Sequence, residues 1–197
     1  MTYNPDIHKR HSLRLKGFDY AQTGAYFITI CTQNRECLFG KVVNDQRHLN
    51  DAGEMILTSW NELPRHYPGV DVDQFVVMPN HVHGIIILTV GAGPRACPEL
   101  HIKKRQPEEI SPALSLLSLS DIIQRFKSLT TTHYLQGVIQ TGWPPFHKKL
   151  WQRNYYEHVI RNEESLNRIR QYIHDNPLNW NIDEENPEGQ ARGPAPT

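Results

Sequence analysis

A nearly unbroken apolar run, Val82 to Val90, constrains this chain more than any other feature. A second run, Phe75 to Met78, precedes it, and Pro79-Asn80 between them is a turn signal. The pair reads as two adjacent antiparallel strands, the second buried enough to be almost continuously apolar. His81 and His83 open that second strand, where two polar rings need a reason to be. Side chains two apart on a strand project from one face, so both imidazoles can point at one ion.

The remaining elements follow from local signals. Gly24 to Gln33 is rich in β-branched and aromatic residues and predicts a strand, with Cys37 to Val43 pairing back on it as a hairpin. Asn50-Asp51 offers an N-cap ahead of Met55, Ile56, Trp60 and Leu63 at helical spacing. Ser120 is the expected cap of a helix through about Leu135, with Ile122, Ile123, Phe126 and Leu129 inward. A Gly/Pro-rich connector spans Gly137 to Pro145. A last helix starts near Asn162, carries Glu163 and Glu164 in its first turn, and stops at Pro177. Strands and helices in this order predict an α+β fold: a ferredoxin-like antiparallel sheet with helices on one face, plus a C-terminal helix. Residues 1–182 form the single expected domain. Within it, 91–112 is Gly-, Pro- and charge-rich and reads as a flexible insert, and 183–197 reads as a disordered acidic tail.

The formal net charge is zero, but it is unevenly spread. Residues 1–20 carry a net +2 and residues 121–170 a net +4, against −3 over 35–75 and −4 over 171–197. A phosphate backbone responds to the local field, so a basic face remains available, as does the plainer reading of ordinary solvated faces. No apolar run approaches the roughly 18–20 residues needed to cross a bilayer. The polar, basic stretch Met1 to Lys16 does not read as a signal peptide. Three cysteines without ligand spacing fit reduced thiols in a cytosolic protein.

Two further segments carry chemistry. In Tyr172-Ile173-His174-Asp175-Asn176-Pro177, Tyr172 and Asn176 lie one helical turn apart on a shared face. Asn176 can offer a carbonyl oxygen to a metal and Tyr172 a phenol to a phosphorus. The same residues also fit packing beside the Leu166, Ile169, Ile173 stripe and an ordinary helix end. In Leu150-Trp151-Gln152-Arg153-Asn154-Tyr155-Tyr156, aromatics interleave with Lys148, Lys149 and Arg153, which suits stacking of unpaired bases along a phosphate track. A structural cluster closing the sheet is the equal alternative.

Together the blocks RLKGFDY, GAYFITICTQNRECLFG, FVVMPNHVHGIII, the Ile-x-x-Phe-Lys-Ser helix, LWQRNYYEHVIRNEESLNRIRQYI and NPLNW resemble the REP-associated tyrosine transposases. The resemblance runs over about residues 10–182, interrupted only by the insert. It implies that His81 and His83 are the metal-binding pair, Asn176 the third ligand and Tyr172 the nucleophile. It implies binding of single-stranded DNA with hairpin elements, cleavage through a 5′-phosphotyrosine intermediate, a monomer, and a cytoplasmic, nucleoid-associated protein. Mixed imidazole and amide ligands facing a phosphate oxygen favour Mg²⁺ or Mn²⁺. The expected DNA contacts are Arg14, Lys16, Lys127, Lys148, Lys149, Trp151, Arg153 and Tyr155. His158 and His174 are candidate bases for the phenol, and Tyr155 and Tyr156 are rival nucleophiles. Two other functions are open: a catalytically inactive DNA- or RNA-hairpin-binding protein, and a hydrolase using His81, His83 and a carboxylate such as Asp73.

Overall fold

The computed structural model describes residues 23–89, 117–183 and 185–187. Strand β1 (Gly24–Cys31) is buried along nearly its whole length, so both of its faces must be covered. It pairs antiparallel with β5 (His81–Leu88) on one side and β6 (Tyr156–Ile160) on the other. β4 (Val70–Val77) adds to β5, giving a four-stranded sheet in the order β4-β5-β1-β6. Helices α1 (Asp51–Asn61), α2 (Leu63–His66) and α3 (Leu119–Thr141) lie between these strands in sequence. The alternation and strand order are those of a ferredoxin-like unit, an antiparallel α+β architecture.

One hydrophobic cluster joins α1 and α3 to Tyr26, Ile28, Ile30, Val82 and Ile86. The other joins α4 (Glu163–Asp175) to Ala25, Phe27, Val76, Ile85 and Ile87 on the opposite face. Alternation along β1 and β5 thus divides the sheet residues between two cores. That is why both strands read as apolar at every position.

The expected hairpin partner of β1 is different. Gly40–Val43 (β2) pairs with Gln46–Leu49 (β3) across Asn44-Asp45, both in left-handed backbone (φ 51° and 59°). The chain leaves β1 through a short 3-10 turn at Gln33–Arg35, where Asn34 and Arg35 also have positive φ, and this diverts it from the sheet. β1 takes β5 and β6 on its two edges instead, while α1 and α3 cover one of its apolar faces and α4 the other.

Helix α3 begins two residues earlier than expected and ends later. Ser118, not Ser120, forms the capping box with Asp121. Gly137 is no helix stop: Trp143 folds back against it and leaves no room for a side chain. Gly142, at φ 72°, ends the helix. At the other end of the domain Asn162 caps α4 by accepting from Ser165 N–H (2.8 Å), and the chain continues past Pro177 as a 3-10 turn, Asn176–Ile182. The expected insert at 91–112 lies outside the described residues.

Candidate active site at the start of strand β5

The site grows from period-two geometry. His81 and His83 both project toward the α4 face of the sheet, with ring centroids 4.5 Å apart. His81 is fully buried and His83 nearly so. Register places Thr29 of β1 opposite His83 and Cys31 opposite His81, so these side chains share the face. Phe27 stacks on His83 at 5.5 Å between centroids.

Each imidazole is anchored through its Nδ1. That of His83 meets Thr29 Oγ1 at 2.8 Å. That of His81 meets Asn80 Oδ1 at 2.8 Å, and here the direction is determined. Asn80 Nδ2 donates to two backbone carbonyls, Arg35 O (3.1 Å) and Glu185 O (2.6 Å). Its Oδ1 is therefore the end facing His81, and a carbonyl oxygen only accepts. His81 Nδ1 carries the proton, and Nε2 presents a lone pair inward. That Nε2 is buried without a hydrogen-bond partner.

Helix α4 brings the other two expected groups. Tyr172 OH lies 3.5 Å from His83 Nε2, and its ring packs edge-on against Phe27 and against His83. Asn176 is 1% exposed, and its Oδ1 is also buried without a hydrogen-bond partner. Tyr172 thus meets His83, and Asn176 lies against His81, although about ninety residues of chain separate the helix pair from the histidine pair. A carboxylate joins them from just beyond the 3-10 turn: Asp183 Oδ2 stands 3.8 Å from His81 Nε2. Ligand atoms of His81, His83 and Asp183 all fall within 4.8 Å of one another. Asp183 and Glu185 sit against the site, where sequence reading had placed the beginning of a disordered tail; residue 184 and residues 188–197 lie outside the described residues.

Burial holds the pKa of His83 well below the usual imidazole value, and the neighbouring His81 adds to the shift. Burial also lowers His81, against the opposing pull of the Asp183 and Glu185 carboxylates. Both rings are thereby kept neutral, the form that ligates metal. His158 is lowered by burial and by Arg161 and Arg168, and register puts it opposite Phe27 on the same face. His174 is exposed on α4.

The rival tyrosines are placed elsewhere. Tyr155 meets Ser120 of α3 (3.5 Å) and Lys127, on the other side of the sheet. Tyr156 shares the histidine face, across Thr29 from His83 in the strand register, with its ring edge-on to Phe27 at 6.2 Å between centroids. Asp73 is held by Arg170 in a two-pronged pair (3.0 and 2.5 Å) that fastens α4 to β4, so it is not a partner of the histidines.

Two expected DNA contacts are corrected. Trp151 is 4% exposed, packs on Phe39 and Phe126, and donates Nε1–H to Thr130 Oγ1 (2.9 Å). It is core, not a stacking platform. Lys127 Nζ donates to the carbonyls of Gln152, Arg153 and Asn154, clamping that loop. Lys148, Lys149 and Arg153 are exposed, and both lysines line a shallow groove with Gln33, Asn34 and His147. Tyr155 is half-buried. Arg14 and Lys16 lie outside the described residues.

Thr29, Asn80 and Asp183 escaped sequence reading. Asn80 was visible only as half of a turn signal, Thr29 needed the β1–β5 register, and Asp183 sits about a hundred residues from the histidines.

Comparison with known proteins sets this geometry in context. No protein-family model matches the sequence. An uncharacterised protein of Haemophilus influenzae is 40% identical over 185 residues, which cover 92% of this chain and 96% of that protein. Among solved structures, that of the REP-associated tyrosine transposase bound to a REP hairpin aligns with a TM-score of 0.51 at 20% identity, over 86% of this chain and 73% of that one.

Proposed function

The chain belongs to one family with the Haemophilus influenzae protein and shares the fold of the tyrosine transposase, and from that premise we propose that it is a transposase-like enzyme that cleaves and rejoins single-stranded hairpin DNA through Tyr172. The observation that carries this reading is the approach of Tyr172 OH to His83 Nε2 across 89 positions of sequence, beside the partnerless His81 Nε2 and Asn176 Oδ1. Buried polar atoms without partners are costly, and a divalent cation beside the histidines would satisfy both His81 Nε2 and Asn176 Oδ1.

Those residues fit a divalent metal: two neutral imidazoles and an amide oxygen suit Mg²⁺ or, better, Mn²⁺. His81, His83 and Asn176 would hold it, and when bound it supplies positive charge against the scissile phosphate. The chain's own part is positioning. Helix α4 carries the phenol, and Phe27 and His83 hold its ring. Tyr172 Oη attacks the phosphorus, the P–O3′ bond breaks, and the phenolic proton ends on the released 3′-hydroxyl. The product is a 5′-phosphotyrosine link, which conserves the phosphodiester energy so that another strand's 3′-hydroxyl can reverse the step.

Lys148, Lys149 and Arg153 supply exposed positive charge for the DNA backbone, and Arg14 and Lys16 add to the positive charge in the sequence. Among the described residues no helix is long and apolar enough to cross a membrane. We place the protein in the cytoplasm with the nucleoid, acting as a monomer.

The test is a labelled pool of hairpin oligonucleotides incubated with protein and Mg²⁺ or Mn²⁺, then resolved on a denaturing gel. An SDS-stable adduct that needs metal and vanishes in Tyr172→Phe is expected. An adduct that persists in that variant would move the nucleophile to another tyrosine. Metal-independent hairpin binding without adduct would instead favour a non-catalytic binding protein.

A further inference from the structure

The expected ligand set leaves one feature unexplained: why a carboxylate should be driven into this site from the far end of the domain. Asp183 follows the 3-10 turn Asn176–Ile182, and its side chain is only 8% exposed. Its two oxygens do different things. Oδ1 accepts from Glu185 N–H at 2.8 Å, closing a local turn that is tightened by Asn186 N–H donating to Asp183 O. Oδ2 is left pointing at His81 Nε2, 3.8 Å away, too far for a hydrogen bond. His81 Nε2 is fully buried and has no hydrogen-bond partner.

The turn bearing Asp183 is tied down on the sheet side. Glu185 Oε2 pairs with Arg35 Nε (2.9 Å), and Glu185 O accepts from Asn80 Nδ2 (2.6 Å). Asn80 is the same residue whose Oδ1 holds His81 Nδ1–H. One amide therefore serves both ends of the arrangement. Its carbonyl turns the lone pair of His81 Nε2 inward, and its NH₂ seats the turn that presents Asp183 to that lone pair.

We propose that Asp183 is a fourth protein ligand of the divalent cation, and that Asn80 is the positioning residue that aims both His81 and Asp183 at it. The proposal rests on the metal-dependent reading above and adds to it a charged oxygen donor from the C-terminal segment. Two donors on one ion, each at about 2.1 Å, stand up to about 4.2 Å apart, so the 3.8 Å gap between His81 Nε2 and Asp183 Oδ2 is one that a cation can bridge. Two imidazoles, an amide oxygen and a carboxylate leave a dication with net charge +1 before substrate arrives. That charge suits it to an anionic phosphodiester, and the two nitrogens favour Mn²⁺ over Mg²⁺.

Binding, not turnover, tests this. Mn²⁺ affinity of the full chain would be measured by calorimetry or by the loss of free-ion signal in electron paramagnetic resonance. Asp183→Asn keeps the oxygen that holds Glu185 N–H but removes the charge, and should weaken Mn²⁺ binding by at least about 10–100-fold, the range seen when groups merely supporting metal ligands are lost. Asp183→Cys, loaded with Co²⁺, should show a thiolate-to-cobalt charge-transfer band in the near ultraviolet that the wild type lacks. A purely structural Asp183 would produce no such band. Unchanged Mn²⁺ affinity in Asp183→Asn, a Co²⁺ spectrum of Asp183→Cys identical to the wild type's, or no Mn²⁺ binding by the wild type would each overturn the proposal. The phosphotyrosine adduct assay reads the nucleophile and not the affinity, so either idea can fail while the other stands.

Discussion

Two residues drawn from one aromatic-basic segment behave as opposites. Trp151 fills the core between Phe39 and Phe126 and gives its Nε1–H to Thr130, whereas Arg153, two residues on, is exposed. Truncating the first creates a cavity and removes the bond that the Thr130 hydroxyl accepts, while that hydroxyl still donates to Phe126 O. Trp151→Ala should therefore cost about 3–5 kcal/mol in a urea melt. Arg153→Ala should leave stability within about 0.5 kcal/mol while weakening hairpin binding and lowering its salt dependence by about one phosphate contact. The reverse pattern, a stable Trp151→Ala with lost DNA binding, would reinstate the tryptophan as a base-stacking residue.

Strand β5 presents the histidines only because its other face is packed closely. Trp60 and Phe75 stack at 4.2 Å between centroids over Gly84, and a Cβ on Gly84 would meet Trp60 Cζ2 at 2.5 Å and Phe75 Cδ2 at 2.8 Å. Gly84→Ala must push that pair aside and should cost about 1–3 kcal/mol, read as a lower urea midpoint at unchanged slope. A neutral result would mean that the aromatic pair yields freely and that the seat of His83 is softer than its burial implies. The neighbouring helix is fixed by different means: the Asn162 cap orients the start of α4, and the Asp73–Arg170 pair clamps its middle to β4. Together these bring Tyr172 to His83.

For the molecule as a whole, the buried histidines make stability depend on pH. His81, His83 and His158 all have folded pKa values below the ordinary 6.5, chiefly through burial. The unfolded chain then binds protons first as the pH falls, so the stability held above 6.5 is lost on acidification below it. The metal-free protein should melt at a lower temperature at pH 5.5 than at pH 8, by scanning calorimetry. A flat profile over that range would show that the rings stay accessible to water in the folded state. Metal binding should raise the melting temperature at pH 8 and do so less at pH 5.5, where protons compete for the same nitrogens.

Whatever depends on neighbours along the chain was legible in the sequence. Period two put His81 and His83 on one face, the helical turn put Tyr172 over Asn176, and the Asn50 and Asn162 caps and the apolar β5 run were readable as local patterns. The strand pairing was less legible. The polar, half-exposed β3 carries little hydrophobic signal, and the expected β1 hairpin gave way to β2–β3, both edges of β1 being taken by β5 and β6. Trp151 and Lys127 looked like DNA contacts because composition records what a side chain can do, not which way it faces. That Thr29 and Asn80 orient the imidazoles, and that Asp183 returns to them, follows from the folded chain alone. Those contacts depend on strand register and on where a distant turn is pinned, and neither leaves a periodicity in the sequence.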